Sequence, residues 1–321
     1  MKTMTYSDAI REAMCTRMRE DDNVFLFGQD VGILGGPFGV SAGMMDEFGT
    51  RRVRDTPISE GAIVGAAVGA AATGLRPIAE LMFVDFLTLG MDQLANQAAK
   101  MRYMFGGKIS VPLVIRTATG AGAGAAAQHS QSLEAWVTHV PGLKAVYPST
   151  PQDAFGLLLS SIDDDNPVVF FEHKVLYSLK GEVTDFTPIP LGVGDIKREG
   201  GDVTVVATGK MVHEALKAAK ILSAEGIELE VLDPRTLYPL DVELIGKSLE
   251  KTNKAVVITE ETKRGGYAGE ISAIIAEEYF DLLDAPVIRI GALNSPVPFS
   301  PPLEQYYLPN ADDIVAAVRR F

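Results

Sequence analysis

Segments that look like buried strands alternate with segments that look like helices along the chain, and this alternation restricts the fold more than any other feature. In the first half, runs of Val, Ile, Leu and Phe predict strands over residues 24–27, 53–58, 77–83, 111–117, 143–147 and 168–172. Helical patterns lie between them, over residues 60–75, 86–104 and 151–162. Strands that alternate with helices form parallel sheets with helices on both faces. The sequence therefore predicts an α/β fold.

A break in this pattern divides the chain. Between Lys174 and Gly194 the periodicity is lost and prolines occur at positions 188 and 190, so we predict a linker there. Beyond it, strands are predicted over 203–207, 229–232, 255–259 and 287–290, with helices over 212–224, 267–280 and 312–319. A length of 321 residues is typical of two domains. We predict two doubly wound domains, residues 1–185 and 192–321.

The composition excludes several classes of partner. Acidic residues number 42 and basic residues 29, giving a formal charge of −13, whereas nucleic acids and anionic membranes attract basic surfaces. Cys15 is the only cysteine, which rules out an internal disulfide and favours a reducing compartment. The most apolar run, residues 61–75, is too short to span a bilayer, and the N-terminus lacks a signal core. We expect a soluble, cytoplasmic protein without nucleic-acid or membrane partners.

Two side chains are candidates for chemistry. Glu60 begins the helix 60–75, where an acidic residue also has a purely structural explanation, its attraction to the helix dipole. His129 follows the glycine-rich segment 120–124, and an imidazole can transfer protons near neutral pH, although a lone histidine among polar neighbours is more often a surface residue. Glycines recur every fourth residue on the helix 60–75, at 61, 65 and 69. We hypothesise that this face packs closely between subunits.

Common catalytic motifs are missing from the sequence. The four histidines lack the spacing of a zinc helix, and there is no nucleophile elbow, P-loop or kinase signature. The glycines at 120, 122 and 124 resemble part of a dinucleotide-binding loop. That loop has the pattern G-x-G-x-x-G, whereas the third glycine here comes one position too early, and the segment lies in the middle of a domain. A stand-alone nicotinamide-dependent dehydrogenase is therefore a distant alternative.

Long motifs in both halves carry a family resemblance. They include DTPISE at 55–60, GAAVGAAATGLRPIAELMFVDF at 65–86, AAAQHSQS at 125–132, HVPGLKAVYPSTPQDA at 139–154, DPRTLYPLD at 233–241 and SPVPFSPPLEQYYLPNADDI at 295–314. These stretches resemble the beta subunit of thiamine-diphosphate-dependent 2-oxo acid dehydrogenases. MFVDF, RYMFGGK and EHKVLYS are most similar to the acetoin-cleaving branch. The resemblance implies an N-terminal pyrimidine-binding domain and a transketolase-type C-terminal domain.

The resemblance also implies roles for single residues. Glu60 would hydrogen-bond the ring nitrogen N1′ of the thiamine diphosphate aminopyrimidine, so that its 4′-imino nitrogen can take a proton from the thiazolium ring. Phe86 would stack on the pyrimidine, with Met82 as an apolar neighbour. His129 would donate a proton near the reacting carbon and help to pass the acyl group to a lipoyl arm. A structural potassium ion would bind, largely through backbone carbonyls, at Leu113, Ser161, Ile162, Asp164 and Asn166.

One position departs from the family pattern. Many relatives have a glutamate where this chain has Gln29, and that glutamate is thought to belong to a proton path between two active sites. Glutamine cannot ionise, so a proton path through this position would be interrupted. The alternative is that a neutral hydrogen-bonding residue suffices there.

The resemblance implies an obligate partner as well. In such enzymes an alpha subunit holds the diphosphate through Mg²⁺ with a G-D-G…N motif, which this chain lacks. We predict an acetoin dehydrogenase beta subunit that cleaves a carbon–carbon bond and passes the acyl unit to lipoamide. It would act in a heterotetramer of two alpha and two beta subunits, with a lipoyl-bearing acyltransferase. Two alternatives stay open, a beta subunit of pyruvate or branched-chain 2-oxo acid dehydrogenase and a non-catalytic scaffold subunit.

Overall fold

The computed structural model describes all residues, Met1–Phe321, and confirms an α/β fold. The chain forms two compact units, the first made of Met1–Thr119 and Trp136–Leu191, the second of Gly120–Ala135 and Gly192–Phe321. The segment 120–135 thus belongs with the second unit, although it lies inside the proposed domain 1–185. We keep the division into residues 1–185 and 192–321 as a proposal. None of the helices is both long enough and apolar enough to cross a membrane.

The first unit is built on a parallel sheet. Its strands are β1 (Lys2–Thr5), β2 (Val24–Gly28), β3 (Val53–Asp55), β4 (Arg76–Leu81), β5 (Val114–Thr119), β6 (Lys144–Val146), β7 (Val168–His173) and β8 (Lys180–Val183). Six of them form the parallel sheet in the order β6-β7-β5-β4-β2-β3, while β1 pairs antiparallel with β8. Strand β8 lies inside the predicted linker, which was wrong at residues 180–183. Its sequence KGEV shows no hydrophobic alternation.

Helices cover this sheet. They are α1 (Tyr6–Glu20), α2 (Met44–Phe48), α3 (Glu60–Ala72), α4 (Leu87–Asp92), α5 (Ala99–Met104), α6 (Glu134–Thr138) and α7 (Pro151–Asp163). Thr5 and Asp8 form a capping box at the start of α1, which stops helix fraying by satisfying two backbone donors. The apolar face of α1 is fully buried in one core with α7. The helix predicted over 86–104 is confirmed as one continuous helical segment, in which a π-helical turn at Gln93–Ala98 lies between α4 and α5.

The second unit contains a smaller sheet. The strands of this unit are β9 (Asp195–Arg198), β10 (Val203–Ala207), β11 (Leu229–Asp233), β12 (Thr236–Tyr238), β13 (Ala255–Thr262) and β14 (Ile288–Ala292). The helices of this unit are α8 (Met211–Ser223), α9 (Val242–Thr252), α10 (Ala268–Glu278), α11 (Pro301–Tyr307) and α12 (Ala311–Val318). Five strands have the order β14-β13-β10-β11-β9, with only β9 antiparallel to its neighbour. The almost entirely apolar central strands are buried from end to end, as expected for a covered parallel sheet.

The glycine face of α3 has a neighbour within this chain. A Cβ added at Gly61 would lie 3.3 Å from the carbonyl oxygen of Leu89, and one added at Gly65 would lie 3.5 Å from the side chain of Gln93. The helix α4 approaches even more closely at Gly90, where an added Cβ would lie 2.6 Å from Val64. Packing within the chain thus explains Gly61, whereas a Cβ added at Gly69 would meet nothing within 4 Å, so close packing between subunits stays a hypothesis for this face.

A buried ion network crosses the middle of the first sheet. The guanidinium of Arg116 on β5 binds Glu172 on β7 through two hydrogen bonds of 2.7 and 2.9 Å, and binds Glu80 on β4 at 2.6 Å. The hydroxyl of Tyr177 also donates to Glu172, at 2.8 Å. Burial raises the pKa of Glu80, an effect that the positive charge of Arg116 opposes. One arginine thus binds two carboxylates that have almost no contact with water, and its single positive charge can balance only one of them.

Candidate functional site

Three of the candidate residues follow neighbouring strands of the first sheet. Gln29 comes directly after β2, Glu60 lies a few residues after β3, and Met82 comes directly after β4. These strands are adjacent and parallel in the order β4-β2-β3, so their carboxyl ends share one edge of the sheet. In open α/β sheets, ligands bind at this edge. The fold thus places the predicted cofactor residues where a ligand site is expected.

The carboxylate of Glu60 is buried and hydrogen-bonded. Glu60 is the first residue of α3, and its side chain accepts a hydrogen bond of 3.3 Å from the Nε2 atom of Gln29. An ionised glutamate at position 29 would have no proton to donate, and two carboxylates there would compete for one proton. The glutamine therefore has a definite function in this chain, as a neutral donor that holds Glu60.

A glycine-rich loop is fixed beside Glu60. The carboxylate of Asp55, at the end of β3, accepts the N–H groups of Gly32 at 2.6 Å and Ile33 at 3.3 Å. The next residue, Thr56, has a buried hydroxyl without a hydrogen-bond partner in the chain. Buried hydroxyls are nearly always paired, so a polar group from outside this chain is expected to reach Thr56.

Aromatic rings surround the position of Phe86. Its half-buried ring packs edge-on against Phe83, with ring centroids 6.0 Å apart, and Phe83 packs in the same way against Phe38 at 5.6 Å. The rings of Phe38 and Tyr177 are 5.1 Å apart. An aromatic ring such as Phe86, an apolar side chain such as Met82 and a buried carboxylate such as Glu60 are groups that suit a flat heteroaromatic ring with a basic nitrogen. This donor set fits the aminopyrimidine implied by the sequence.

His129 belongs to the second compact unit, in a loop with unusual backbone geometry. The φ angles of Gly120, Gly122 and Gly124 are +86°, +97° and +66°, and the two intervening residues are not in this left-handed region. Such alternation forms a nest, in which successive N–H groups point inward and bind an anion. The anion here is a side chain of the same unit. The carboxylate of Glu304 accepts the N–H groups of Gly122 at 2.9 Å and Gly124 at 3.1 Å.

Two more glutamates hold this loop. At its start, Glu260 accepts the N–H group of Ala121 at 2.6 Å. At its end, Glu261 accepts the N–H group of Ala135 at 2.7 Å. The N–H group of Gly120 also donates to the carbonyl of Gln131 at 3.0 Å, and this bond joins the start of the loop to its later part. The glycines that resembled part of a dinucleotide-binding loop thus bind a protein carboxylate.

The carboxyl group of Glu261 lies in an unusual environment. Burial raises its pKa to about 7, while hydrogen bonds from the backbone of Tyr267 and Ala135 and from the side chain of Glu134 act in the opposite direction. Glu134 and Glu261 are therefore two buried carboxyl groups in contact, and one proton held between them removes their repulsion.

We expect stability to fall as the pH rises past this pair. The unfolded carboxyl has an ordinary pKa of 4.5 and the folded one about 7, so between these values the folded chain binds more protons than the unfolded chain. The contribution of Glu261 to the free energy of unfolding is therefore favourable below about pH 5 and is lost by about pH 8. The free energy of unfolding of the wild-type chain, minus that of Glu261→Gln, should decrease by roughly 2–3 kcal/mol across this range. Urea unfolding at several pH values measures this difference, and a flat difference would contradict the expectation.

The residues predicted to bind potassium lie around one turn. Val168 donates to the carbonyl of Leu113 at 2.8 Å, and Asn166 donates through its side chain to Asp164 at 2.9 Å. The guanidinium of Arg76 donates to the carbonyls of Ile162 at 3.0 Å and Asp164 at 3.3 Å, so a fixed cation already serves two of them. Ser161 bonds back to Leu157 within α7. No group of three or more His, Cys, Asp or Glu side chains is arranged to hold a metal ion.

Sequence reasoning missed the residues that hold the two glycine-rich loops: Asp55, Glu260, Glu261 and Glu304. A usable signal was present for two of them. Glu260 and Glu261 form a pair of acidic residues late in a buried strand, where a charged residue needs a partner. Asp55 ends a short strand whose last two residues are exposed, so its sequence position gives no such signal. Glu304 lies in a short helix after a proline-rich segment, and nothing local distinguishes it from a surface residue.

Comparison with protein families accounts for both units. Residues 2–180 match the family described as the pyrimidine binding domain of transketolase, and residues 192–314 match the transketolase C-terminal domain. The chain is also similar to a solved split-gene transketolase in an inactive beta4 tetramer, with a TM-score of 0.82 over 99% of this chain and 97% of that one. The sequence identity of 24% makes this a likeness of fold. Both predicted domain types are thus confirmed.

Curated relatives cover nearly the full length. The chain is 56% identical to the beta subunit of acetoin:2,6-dichlorophenolindophenol oxidoreductase from Bacillus subtilis, covering 98% of this chain and 96% of the relative. It is 49% identical to the subunit of the same name from Cupriavidus necator, over 97% and 95%. It is 47% identical to the 2-oxoisovalerate dehydrogenase beta subunit of B. subtilis, over 99% and 98%.

Proposed function

The chain belongs to the family of acetoin and 2-oxo acid dehydrogenase beta subunits, and from that premise we propose that it is the beta subunit of an acetoin-cleaving enzyme that uses thiamine diphosphate. The greater identity to the acetoin enzymes, 56% and 49% against 47%, supports acetoin over a branched-chain 2-oxo acid. The observation that carries a catalytic function is the buried, hydrogen-bonded Glu60 at the ligand-binding edge of the sheet. In a scaffold subunit, Glu60 would have only the structural function of an acidic residue at a helix start.

The residues of this chain would hold one half of the cofactor. When bound, thiamine diphosphate supplies a carbon nucleophile that attacks a carbonyl group of the substrate. Phe86 and Met82 would bind the pyrimidine ring, and the carboxylate of Glu60 would share a proton with its ring nitrogen. Gln29 keeps that carboxylate in place. His129 would donate a proton near the reacting carbon and assist transfer of the acyl unit to lipoamide.

The rest of the site would come from a partner. Four large apolar side chains near Glu60 are exposed: Ile33 by 84%, Leu34 by 69%, Ile58 by 80% and Leu89 by 62%. Ile58 lies two residues before Glu60, and the N–H group of Ile33 donates to Asp55 at the end of the preceding strand. The carbonyl oxygen of Leu89 would lie 3.3 Å from a Cβ added at Gly61. Exposed apolar groups beside a ligand site are typical of a surface that another subunit covers. An alpha subunit would bury them and hold the diphosphate through Mg²⁺.

Assembly would follow from the same argument. We propose a heterotetramer of two alpha and two beta subunits that passes its acyl group to a lipoyl-bearing acyltransferase. A potassium ion near Leu113 is compatible with the carbonyls there, because the carbonyl oxygens of Ile162 and Asp164 each have a second lone pair beside the bond that they accept from Arg76. The proposed function does not depend on it.

Calorimetric titration tests the split site. Thiamine diphosphate with Mg²⁺ should bind to a mixture of this chain and a candidate alpha subunit, and should show no binding to this chain alone. The reconstituted pair should then turn over acetoin faster than pyruvate or 2-oxoisovalerate. Tight binding to this chain alone would contradict the partner requirement, and preferred turnover of a 2-oxo acid would contradict acetoin as substrate.

A further inference from the structure

The loop that carries His129 is held from three directions by carboxylates of the same unit. Glu260 and Glu261 are consecutive residues near the end of β13, and because side chains alternate along a strand, they reach opposite ends of the loop. Glu304 comes from α11 and occupies the nest in the loop backbone. All three carboxylates are buried.

We propose that Glu260, Glu261 and Glu304 are positioning residues that hold the His129 loop in the conformation required for proton transfer. This inference rests on the proposed function of His129. None of the three acts on the substrate. They act through the backbone N–H groups of four loop residues, whose positions fix the course of the loop: Ala121, Gly122, Gly124 and Ala135.

The chemistry of these contacts explains why carboxylates are used. The first part of the loop, residues 120–127, consists of glycine and alanine alone, so its side chains bury little apolar surface and cannot order it through packing alone. Hydrogen bonds from backbone N–H groups to a charged acceptor are roughly twice as strong as those between neutral groups. A buried carboxylate in turn needs such donors, because water cannot reach it. Each partner thus satisfies the other.

A second contact supports this role at the start of the loop. The side chain of Ala121 is buried in a small apolar cluster with Ala292, Val297, Tyr307 and Leu308. Tyr307 is the last residue of α11 and Leu308 its C-cap, about one helical turn beyond Glu304. The same short helix therefore packs against the loop and supplies its anion.

Substitution of Glu304 tests the proposal. In this chain reconstituted with its alpha subunit, Glu304→Ala should lower kcat roughly 10- to 100-fold, because small displacements of a catalytic group have effects of this size. The KM for acetoin and the affinity for thiamine diphosphate should change much less. The amides of residues 120–135 should exchange with solvent deuterium faster than in the wild type, while those of α8 and α9 should not.

Conservative variants separate positioning from folding. Glu304→Gln keeps an oxygen that can accept from Gly122 and Gly124, so this variant should keep most of the wild-type turnover. Glu304→Asp keeps the charge, but its side chain is shorter by one methylene group and does not reach the loop, so its turnover should stay low. If Glu304→Ala does not fold, these two variants still decide the matter by the same exchange and turnover measurements. Glu277→Ala, at an exposed site on α10, should match the wild type.

The outcomes are distinguishable from failure of the proposed function. Unchanged exchange of residues 120–135 in Glu304→Ala would overturn the proposal whatever the activity. Faster exchange with unchanged kcat would also overturn it, because the loop would then be held for no catalytic purpose. Absence of acetoin turnover in the wild-type pair would instead contradict the proposed function, and the exchange result would stand alone.

Discussion

Replacing Glu60 by glutamine is expected to lower acetoin turnover of the reconstituted enzyme by about 10²–10⁴-fold, the range typical of a lost acid–base group. Glutamine has nearly the same shape and its oxygen can still accept from Gln29, so the site should stay assembled. It cannot take up a proton from, or share one with, a ring nitrogen. Steady-state kinetics with saturating thiamine diphosphate measure the change directly.

The control must show that proton sharing, and not folding, is lost. Thermal unfolding of Glu60→Gln should match that of the wild type within a few degrees. Glu182→Gln, which alters an exposed glutamate in the same unit, should leave turnover unchanged. Turnover of Glu60→Gln within about threefold of the wild type would show that Glu60 has only the structural function of an acidic residue at a helix start.

Replacing Arg116 by methionine should destabilise the first unit by about 3–5 kcal/mol, the usual cost of leaving buried charges without their partner. Glu80 and Glu172 would then lie side by side without a cation. The loss should be smaller at pH 5 than at pH 8, because burial raises the pKa of Glu80 and favours its neutral, protonated form as the pH falls. Urea unfolding at both pH values measures the effect.

Matched variants isolate the buried network. Arg319 pairs with Glu225 at 2.5 Å on the surface, and exposed pairs contribute about 0–1 kcal/mol, so Arg319→Met should have little effect. Adding Glu80→Gln to Arg116→Met should recover part of the lost stability by removing one of the two charges. A loss in Arg116→Met that is the same at both pH values and is not reduced by Glu80→Gln would show that packing, and not charge, sets the cost.

The regular parts of the fold were predictable because each carries a strong local pattern. The strand at 24–28 and the helix at 151–163 were predicted within a residue or so, since a buried strand is a continuous apolar run and α7 begins at a capped proline. Strands β1, β8 and β9 were missed. Their sequences, KTMT, KGEV and DIKR, are short and polar, and they are ordered by pairing with distant strands, which no local pattern contains.

The site was predictable only in part, for a related reason. Glu60, Met82, Phe86 and His129 were found because they lie in motifs shared with a family, and their roles stay predictions. The residues that hydrogen-bond to Glu60 and to the loop of His129 were not predicted. Gln29 bonds Glu60 across 31 positions, and Glu304 reaches the loop of His129 across about 180. Such contacts depend on how the chain folds back on itself, so a single sequence does not reveal them.

The occupied nest bears on how this protein behaves among the phosphate compounds of a cell. A free anion that approached the nest at 120–124 would have to displace a carboxylate tethered to the same unit, whose effective concentration is on the order of millimolar or above. Glu304 thus competes with any free anion for the N–H groups of Gly122 and Gly124. We therefore expect the loop to keep its conformation, and the enzyme its rate, over wide changes in the concentration of inorganic phosphate.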